Sequence, residues 1–420
     1  MEHDLVVEGR TVLPEGDDIV QIGVTNGIIR EIKKQGLKGS KIIRTGTGLV
    51  FPGFIDGHVH LREPGWEHKE DFATGTAAAV HGGVTTVVDM PNNPKPATTP
   101  AVLEEKRRLA LSKGLIDVRF HGGVLSERIG DLKSIQQMVV GYKLYLARST
   151  GGLTFPQSRV GAAMEAVATT GMPLSLHCED QSVIDARETE LAGERRPDIY
   201  CDLRPPEAEV SSVEAVVSAL TGVRDARVNI CHISVSRAVS LVGQARTDGL
   251  RIACEATLHH LFFSRNAMEV NRLLRTNPPL RSVADRAMLL EGLREGAVDF
   301  LVTDHAPHTI DEKTKDGSAG VPGLDDYGHV VSWLLKTQGF EPAIIARVSS
   351  ANPAAFYGLG DRGEIAVGRR ADLAIVDLGA PERASADKLR TKCGWTPYEG
   401  IEFPGRVRWT IRAGEVLLEG

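Results

Sequence analysis

Between residues 52 and 360, strand-like and helix-like segments alternate. Eight such units in that length predict an α/β protein built as a (β/α)8 (TIM) barrel. No Gly-x-Gly-x-x-Gly accompanies them, which favours a barrel over a doubly wound sheet. The two ends of the chain are strand-rich and poor in helical periodicity. Residues 1–51 and 361–420 are therefore expected to pair into one small discontinuous β-domain, leaving 52–360 as the catalytic barrel.

In chain order, Leu5–Gly9, Ile19–Thr25 and Ile28–Ile32 read as strands, with Asn26-Gly27 as a two-residue hairpin turn. The barrel strands are expected at Gly53–His60, Val84–Met90, Asp117–Val124, Val140–Leu146, Pro173–Cys178, Arg227–Ile233, Arg251–Ala256 and Val298–Asp304. Helical patterns lie between them at Pro100–Lys113, Arg159–Thr170, Ser211–Thr221, Ser236–Ala245 and Val283–Arg294. The tail adds strands at Ala371–Asp377 and Arg408–Arg412, then a turn at Ala413-Gly414.

The 420 residues suit one barrel of roughly 250–300 residues and a smaller companion. With 42% hydrophobic and 25% charged residues, a large core is available. A net charge of −6 argues against nucleic acid as the main partner. The five cysteines include no Cys-x-x-Cys pair, which suits a reducing cytoplasm rather than a disulfide scaffold or zinc knuckle. The N-terminal residues do not read as a signal peptide, and no apolar run is long enough to span a membrane.

In a (β/α)8 barrel the chemistry gathers where the strands end. His58 and His60 stand two apart on the first strand, so their rings point the same way and could grip one metal ion. By itself such a pair is also explained by a surface strand. His177 ends the fifth strand, His232 the sixth and Asp304 the eighth, which makes the set a candidate divalent-metal site with zinc as the best match. Lys143 sits in the fourth strand. A buried amine facing cations is favoured in its neutral form, which can take up carbon dioxide as a metal-bridging carbamate. Spacing alone favours a surface or salt-bridged lysine. Arg62, two residues past His60, offers a fork-shaped cation for a carboxylate.

These motifs resemble those of class I dihydroorotases in the amidohydrolase superfamily. The similar segments are Asp56-Gly-His-Val-His-Leu-Arg-Glu-Pro-Gly65, Asp89-Met-Pro-Asn-Asn93, Tyr142-Lys-Leu-Tyr145, Leu176-His-Cys-Glu179, Cys231-His-Ile-Ser234, Asn277-Pro-Pro-Leu-Arg281 and Thr303-Asp-His-Ala-Pro-His308. With Gly363–Leu373 they cover essentially the whole chain in order. One departure is Leu258, where the family usually has proline.

The resemblance implies two zinc ions. His58, His60 and Asp304 would hold one, His177 and His232 the other, and N6-carboxylated Lys143 would bridge them. It implies reversible cyclisation of N-carbamoyl-L-aspartate to L-dihydroorotate, a step of de novo pyrimidine (UMP) synthesis. Asp304 would move the proton. His60, Arg62, Asn92, Asn277, His308 and the backbone at Pro322 and Gly323 would contact the substrate. A homodimer is the default assembly, and aspartate transcarbamoylase, which associates with some members, is a candidate partner. Allantoinase, dihydropyrimidinase and a non-catalytic assembly homologue are the alternatives, and Arg62 argues against the first two because their substrates lack a ring carboxylate. His305, His259, His260, His81 and His121 are expected to be structural, Cys231 to turn away from the metals as a buried apolar group, and Ser149–Gly152 to be a mobile segment beside the site.

Overall fold

The computed structural model describes residues 2–223 and 225–420. Strands β1 (Glu2–Leu13), β2 (Gly16–Thr25), β3 (Ile28–Lys33) and β4 (Lys38–Pro52) come first. The eight expected barrel strands follow: β5 (Phe54–Val59), β6 (Val84–Asp89), β7 (Asp117–Gly123), β8 (Gly141–Tyr145), β9 (Leu174–His177), β10 (Val228–Ile230), β11 (Ile252–Thr257) and β12 (Phe300–Val302). The tail contributes β13 (Leu373–Asp377), β14 (Glu382–Arg383), β15 (Glu402–Phe403), β16 (Arg406–Arg412) and β17 (Glu415–Glu419).

Strands β5 to β12 pair with their sequence neighbours in one eight-stranded parallel sheet. The ring is joined just past its last strand, where Val59 bridges His305 in parallel and His60 N donates to His305 O at 2.8 Å. Asp56 reinforces that seam by accepting from Thr303 N and, at 2.5 Å, Thr303 Oγ1. Burial pushes its carboxyl up to about 7 despite those donors. The outer helices begin and end on local signals. Thr99 caps Pro100–Lys113 by accepting from Val102 N, with Pro100 in the first turn. Ser282 caps Val283–Glu295 by accepting from Asp285 N, and Gly296 ends it at φ 86°.

The terminal strands form a second, seven-stranded sheet in the order β17-β16-β13-β4-β1-β2-β3. Asn26 (φ 52°) and Gly27 (φ 74°) make the mirror-image turn that the sequence signals. Val7, Ile22, Ile29, Val50, Ile375 and Ile411 form this sheet's core. At the junction of β4 and β5, a Cβ on Gly53 would fall 2.3 Å from Thr85 Oγ1, so no side chain fits there.

The stretch between β13 and β16 does not join that sheet. It lies on the barrel, with β14 and β15 paired only to each other. The rings of Tyr398 and Phe403 pack at 5.3 and 5.6 Å from Phe262. Trp395 Nε1 donates to His308 O at 2.8 Å. Large aromatics need an apolar surface, and the helix Leu258–Phe262 supplies it. Among the described residues no helix is long and apolar enough to cross a membrane.

Candidate active site

Six candidate ligand side chains converge at the C-terminal mouth of the barrel. His58 is in β5 with His60 just beyond, Lys143 is in β8 and His177 ends β9, while His232 and Asp304 lie two residues past β10 and β12. His232 (φ 37°), Asp304 (φ 46°) and Arg62 (φ 63°) occupy the left-handed region. Among the described residues the only other non-glycines there are Asn26 and Ala413, both in hairpin turns. L-residues at such angles are strained, and here the strain re-aims three functional side chains. It also breaks strand alternation at His232. Cys231, expected to turn away, instead points into the barrel with Sγ 2.7 Å from Lys143 Nζ.

Asp304 Oδ1 lies 3.3 Å from His58 Nε2 and 3.1 Å from His60 Nε2. His177 Nδ1 faces His232 Nε2 at 3.0 Å. The two sets meet where the His58 and His232 rings stand 5.2 Å apart. One donor atom each from His58, His232 and Asp304 falls within 4.8 Å of the others. Behind them, Glu255 in β11 pairs with His58 Nδ1 and accepts from His232 N at 3.2 Å. Glu179, held by Arg204, stands 2.9 Å from His177 Nε2. Asn92 Oδ1 lies 2.7 Å from His60 Nδ1, while its Nδ2 donates to Thr150 O at 2.9 Å. Asn92 thus leaves the Nε2 lone pair of His60 facing the cluster.

The protonation states suit metal ligands. Burial and then Lys143 push His58 well below the usual histidine range, while burial and then His177 do the same for His232. Burial likewise lowers His60 and His177. Burial opposes the Asp304 anion, yet His58 and His60 hold its carboxyl at about 2. Neutral imidazoles beside an ionised carboxylate are the forms that bind a divalent ion. Lys143 is fully buried, and among the described residues no carboxylate oxygen lies within 4.0 Å of its Nζ. A buried charge without a partner is costly, and as a carbamate the Lys143 side chain would be an anion that bound divalent cations neutralise. The residues present fit a metal centre.

The substrate side is lined by Arg62, Asn92, Tyr145, Asn277, Ala319 and Gly320, with the histidine cluster below. Arg62 is 3% exposed, and its Nε donates to Pro307 O at 3.1 Å. Asn277, which lines the cleft, accepts at Oδ1 from Tyr200 Oη, and its amide nitrogen has no partner among the described residues. His308 sits behind Gly320, with Nε2 3.3 Å from the Arg62 guanidinium. Ala319 and Gly320 line the cleft here, and nearby Gly323 N donates to His305 Nδ1 at 3.1 Å. His305 faces Glu70, with Nε2 3.2 Å from its carboxylate. Ser149 and Thr150 do line the cleft.

Sequence reasoning missed Glu255 and Glu179. A carboxylate inside the apolar run Ile252-Ala-Cys-Glu-Ala-Thr257 was the available signal for Glu255.

A (β/α)8 barrel with buried imidazoles and a carboxylate at its strand ends defines a metal-dependent hydrolase. The chain belongs to the amidohydrolase family, whose model matches residues 49–417. Within that family it is 36% identical over 427 residues to the dihydroorotase of Methanothermobacter thermautotrophicus, covering 99% of this chain and 95% of that protein. It is 33% identical over 420 residues to the dihydroorotase of Pyrococcus furiosus, covering 99% and 93%. Among solved structures it resembles the L-hydantoinase (dihydropyrimidinase) from Arthrobacter aurescens, with a TM-score of 0.94, 24% identity and coverage of 99% and 96%. A D-hydantoinase follows at 0.92, 22% identity and coverage of 99% and 95%. At these identities the two structures speak for the fold.

Proposed function

We propose that this chain is a dihydroorotase, interconverting N-carbamoyl-L-aspartate and L-dihydroorotate in pyrimidine synthesis. The observation that carries the reading is Arg62, a buried guanidinium at the metal cluster with no carboxylate within 4.0 Å among the described residues. Such a group calls for an anionic substrate, and dihydroorotate brings a ring carboxylate that allantoin and dihydrouracil lack. Similarity to curated dihydroorotases along nearly the whole chain supports the same choice.

Two zinc ions, held by His58, His60 and Asp304 and by His177 and His232 and joined through carboxylated Lys143, would supply an acidified water and polarise the scissile carbonyl. Asp304 handles the proton. Its Oδ1 faces the Nε2 lone pairs of the two imidazoles, where a metal ion would be shared, while Oδ2 accepts no hydrogen bond among the described residues and is free to carry a proton to the leaving ring nitrogen. Arg62 binds the carboxylate, and the free amide of Asn277 faces the ring. Five unpaired cysteines support a cytoplasmic setting. The family reading adds a homodimer, with aspartate transcarbamoylase as candidate partner, and light scattering with and without that enzyme tests both.

The decisive assay compares ring opening of dihydroorotate, dihydrouracil and allantoin, with metal content measured on the same sample. Dihydroorotate should lead, and Arg62→Ala should raise its KM by about ten- to hundredfold. Equal turnover of the three rings, or an unchanged KM in the variant, would overturn the reading.

A further inference from the structure

Behind Arg62 lie the His308 imidazole and the Lys69 ammonium, and the reaction so far leaves Lys69 unused. His308 is 2% exposed and Lys69 is 6% exposed. Lys69 Nζ lies 3.3 Å from His308 Nδ1 and 2.9 Å from Glu312 Oε1, over the Trp66 ring at 5.0 Å. The other ring nitrogen of His308, Nε2, is 3.3 Å from the Arg62 guanidinium. The His308 main chain is pinned by Trp395.

A neutral imidazole has one N–H and one lone pair, whereas ammonium and guanidinium groups only donate. His308 therefore cannot accept from both neighbours. A hydrogen on Nδ1 would point at the Lys69 ammonium, which Glu312 holds in place. A hydrogen on Nε2 leaves Nδ1 to accept from Lys69. It also leaves two donors, His308 Nε2 and Arg62, converging 3.3 Å apart, with the backbone carbonyl of Ala319 as a neutral acceptor beside the His308 ring and no carboxylate on Arg62 among the described residues. An oxygen anion satisfies both. Glu312 Oε2, at 3.5 Å, is the competing partner of Nδ1, but the other Glu312 oxygen is engaged with Lys69.

We propose that Lys69 is a positioning residue for the substrate carboxylate: it keeps the His308 hydrogen on Nε2, so that His308 and Arg62 donate together to one anion. This rests on the dihydroorotase reading for the identity of the anion. Without Lys69 the ring hydrogen moves to Nδ1 and turns to Glu312. Nε2 then accepts from Arg62, which removes one donor from the carboxylate and ties up the other.

The test uses the metal-loaded full chain with Lys69→Met and Lys69→Arg. Lys69→Met should raise KM for dihydroorotate about tenfold or more with little change in kcat, and Lys69→Arg should recover most of the loss. A fall in kcat with KM unchanged would overturn the proposal, as would a parallel loss on dihydrouracil. Nitrogen-15 NMR of the substrate-free protein decides the point independently. His308 should read as the Nε2–H form in the native chain and as Nδ1–H in Lys69→Met, and a native Nδ1–H form would refute it. If the native enzyme failed to open dihydroorotate at all, the functional reading would fall while the NMR result still judged Lys69.

Discussion

Glu255 lies buried in β11 with one oxygen on His58 Nδ1 and the other accepting from Asn229 Nδ2 at 2.7 Å. That pairing fixes the His58 hydrogen on Nδ1 and turns the Nε2 lone pair toward Asp304. Glu255→Gln keeps the shape but weakens the acceptor. Metal affinity should drop about 10- to 100-fold in a chelator competition, with the circular dichroism spectrum unchanged. Unaltered affinity would mean that packing alone orients His58. Asp304→Asn tests the proton step: turnover should fall by about 10²–10⁴-fold, and near-native turnover with metal still bound would remove Asp304 from that role. His58, His60, His177, His232 and Asp304 were legible in the sequence because each sits where a recognisable strand ends. Glu255 was not, since its partner is 197 positions away and no local spacing links the two.

Among the elements, the segment between β13 and β16 has the clearest consequence for the site. Its anchor is Glu70, a fully buried carboxylate that accepts from Thr74 Oγ1, Thr391 Oγ1 and, at 3.3 Å, Lys392 N. His305 Nε2 reaches the same group at 3.2 Å. One side chain thus ties the segment to the strand end that bears Asp304. Removing it strands several buried donors, so Glu70→Ala should cost roughly 2–4 kcal/mol in denaturant unfolding. Because Trp395 of the same segment pins His308, KM for dihydroorotate should rise as well. A stability loss below about 0.5 kcal/mol would show that the anchor is dispensable. All eight barrel strands could be read from apolar runs between turn residues, with ends displaced by a residue or a few. The segment itself could not. Its aromatics carry no period of two or 3.6, so sequence position alone assigned it to the terminal sheet rather than to the barrel it covers.

Across the whole molecule, His329 joins the barrel to this segment and makes stability depend on pH. Its ring stacks on Phe403 at 5.0 Å, with Nδ1 3.0 Å from Asp326 Oδ1 and Nε2 3.1 Å from Glu382 Oε2. Lys388 and Arg406 also face Glu382, and His81 lies 6.5 Å from the His329 ring. Burial opposes the charge on His329, but Asp326 and Glu382 raise it from the ordinary 6.5 to about 9. The hydrogen bond from His329 in turn lowers Glu382 from 4.5 to about 2. A raised histidine contributes stability that is complete below 6.5 and is lost as pH climbs through 9. A depressed carboxylate contributes stability that is complete above 4.5 and is lost as pH falls toward 2. The pair therefore contributes most between those limits, near pH 5–6. From pH 6.5 to 10 the native chain should lose about 1–3 kcal/mol more than His329→Gln, read from denaturant midpoints of the two proteins side by side. Equal losses in both would show that His329 is neutral in the folded state, and that stacking on Phe403, rather than the ion pair, holds the segment to the barrel.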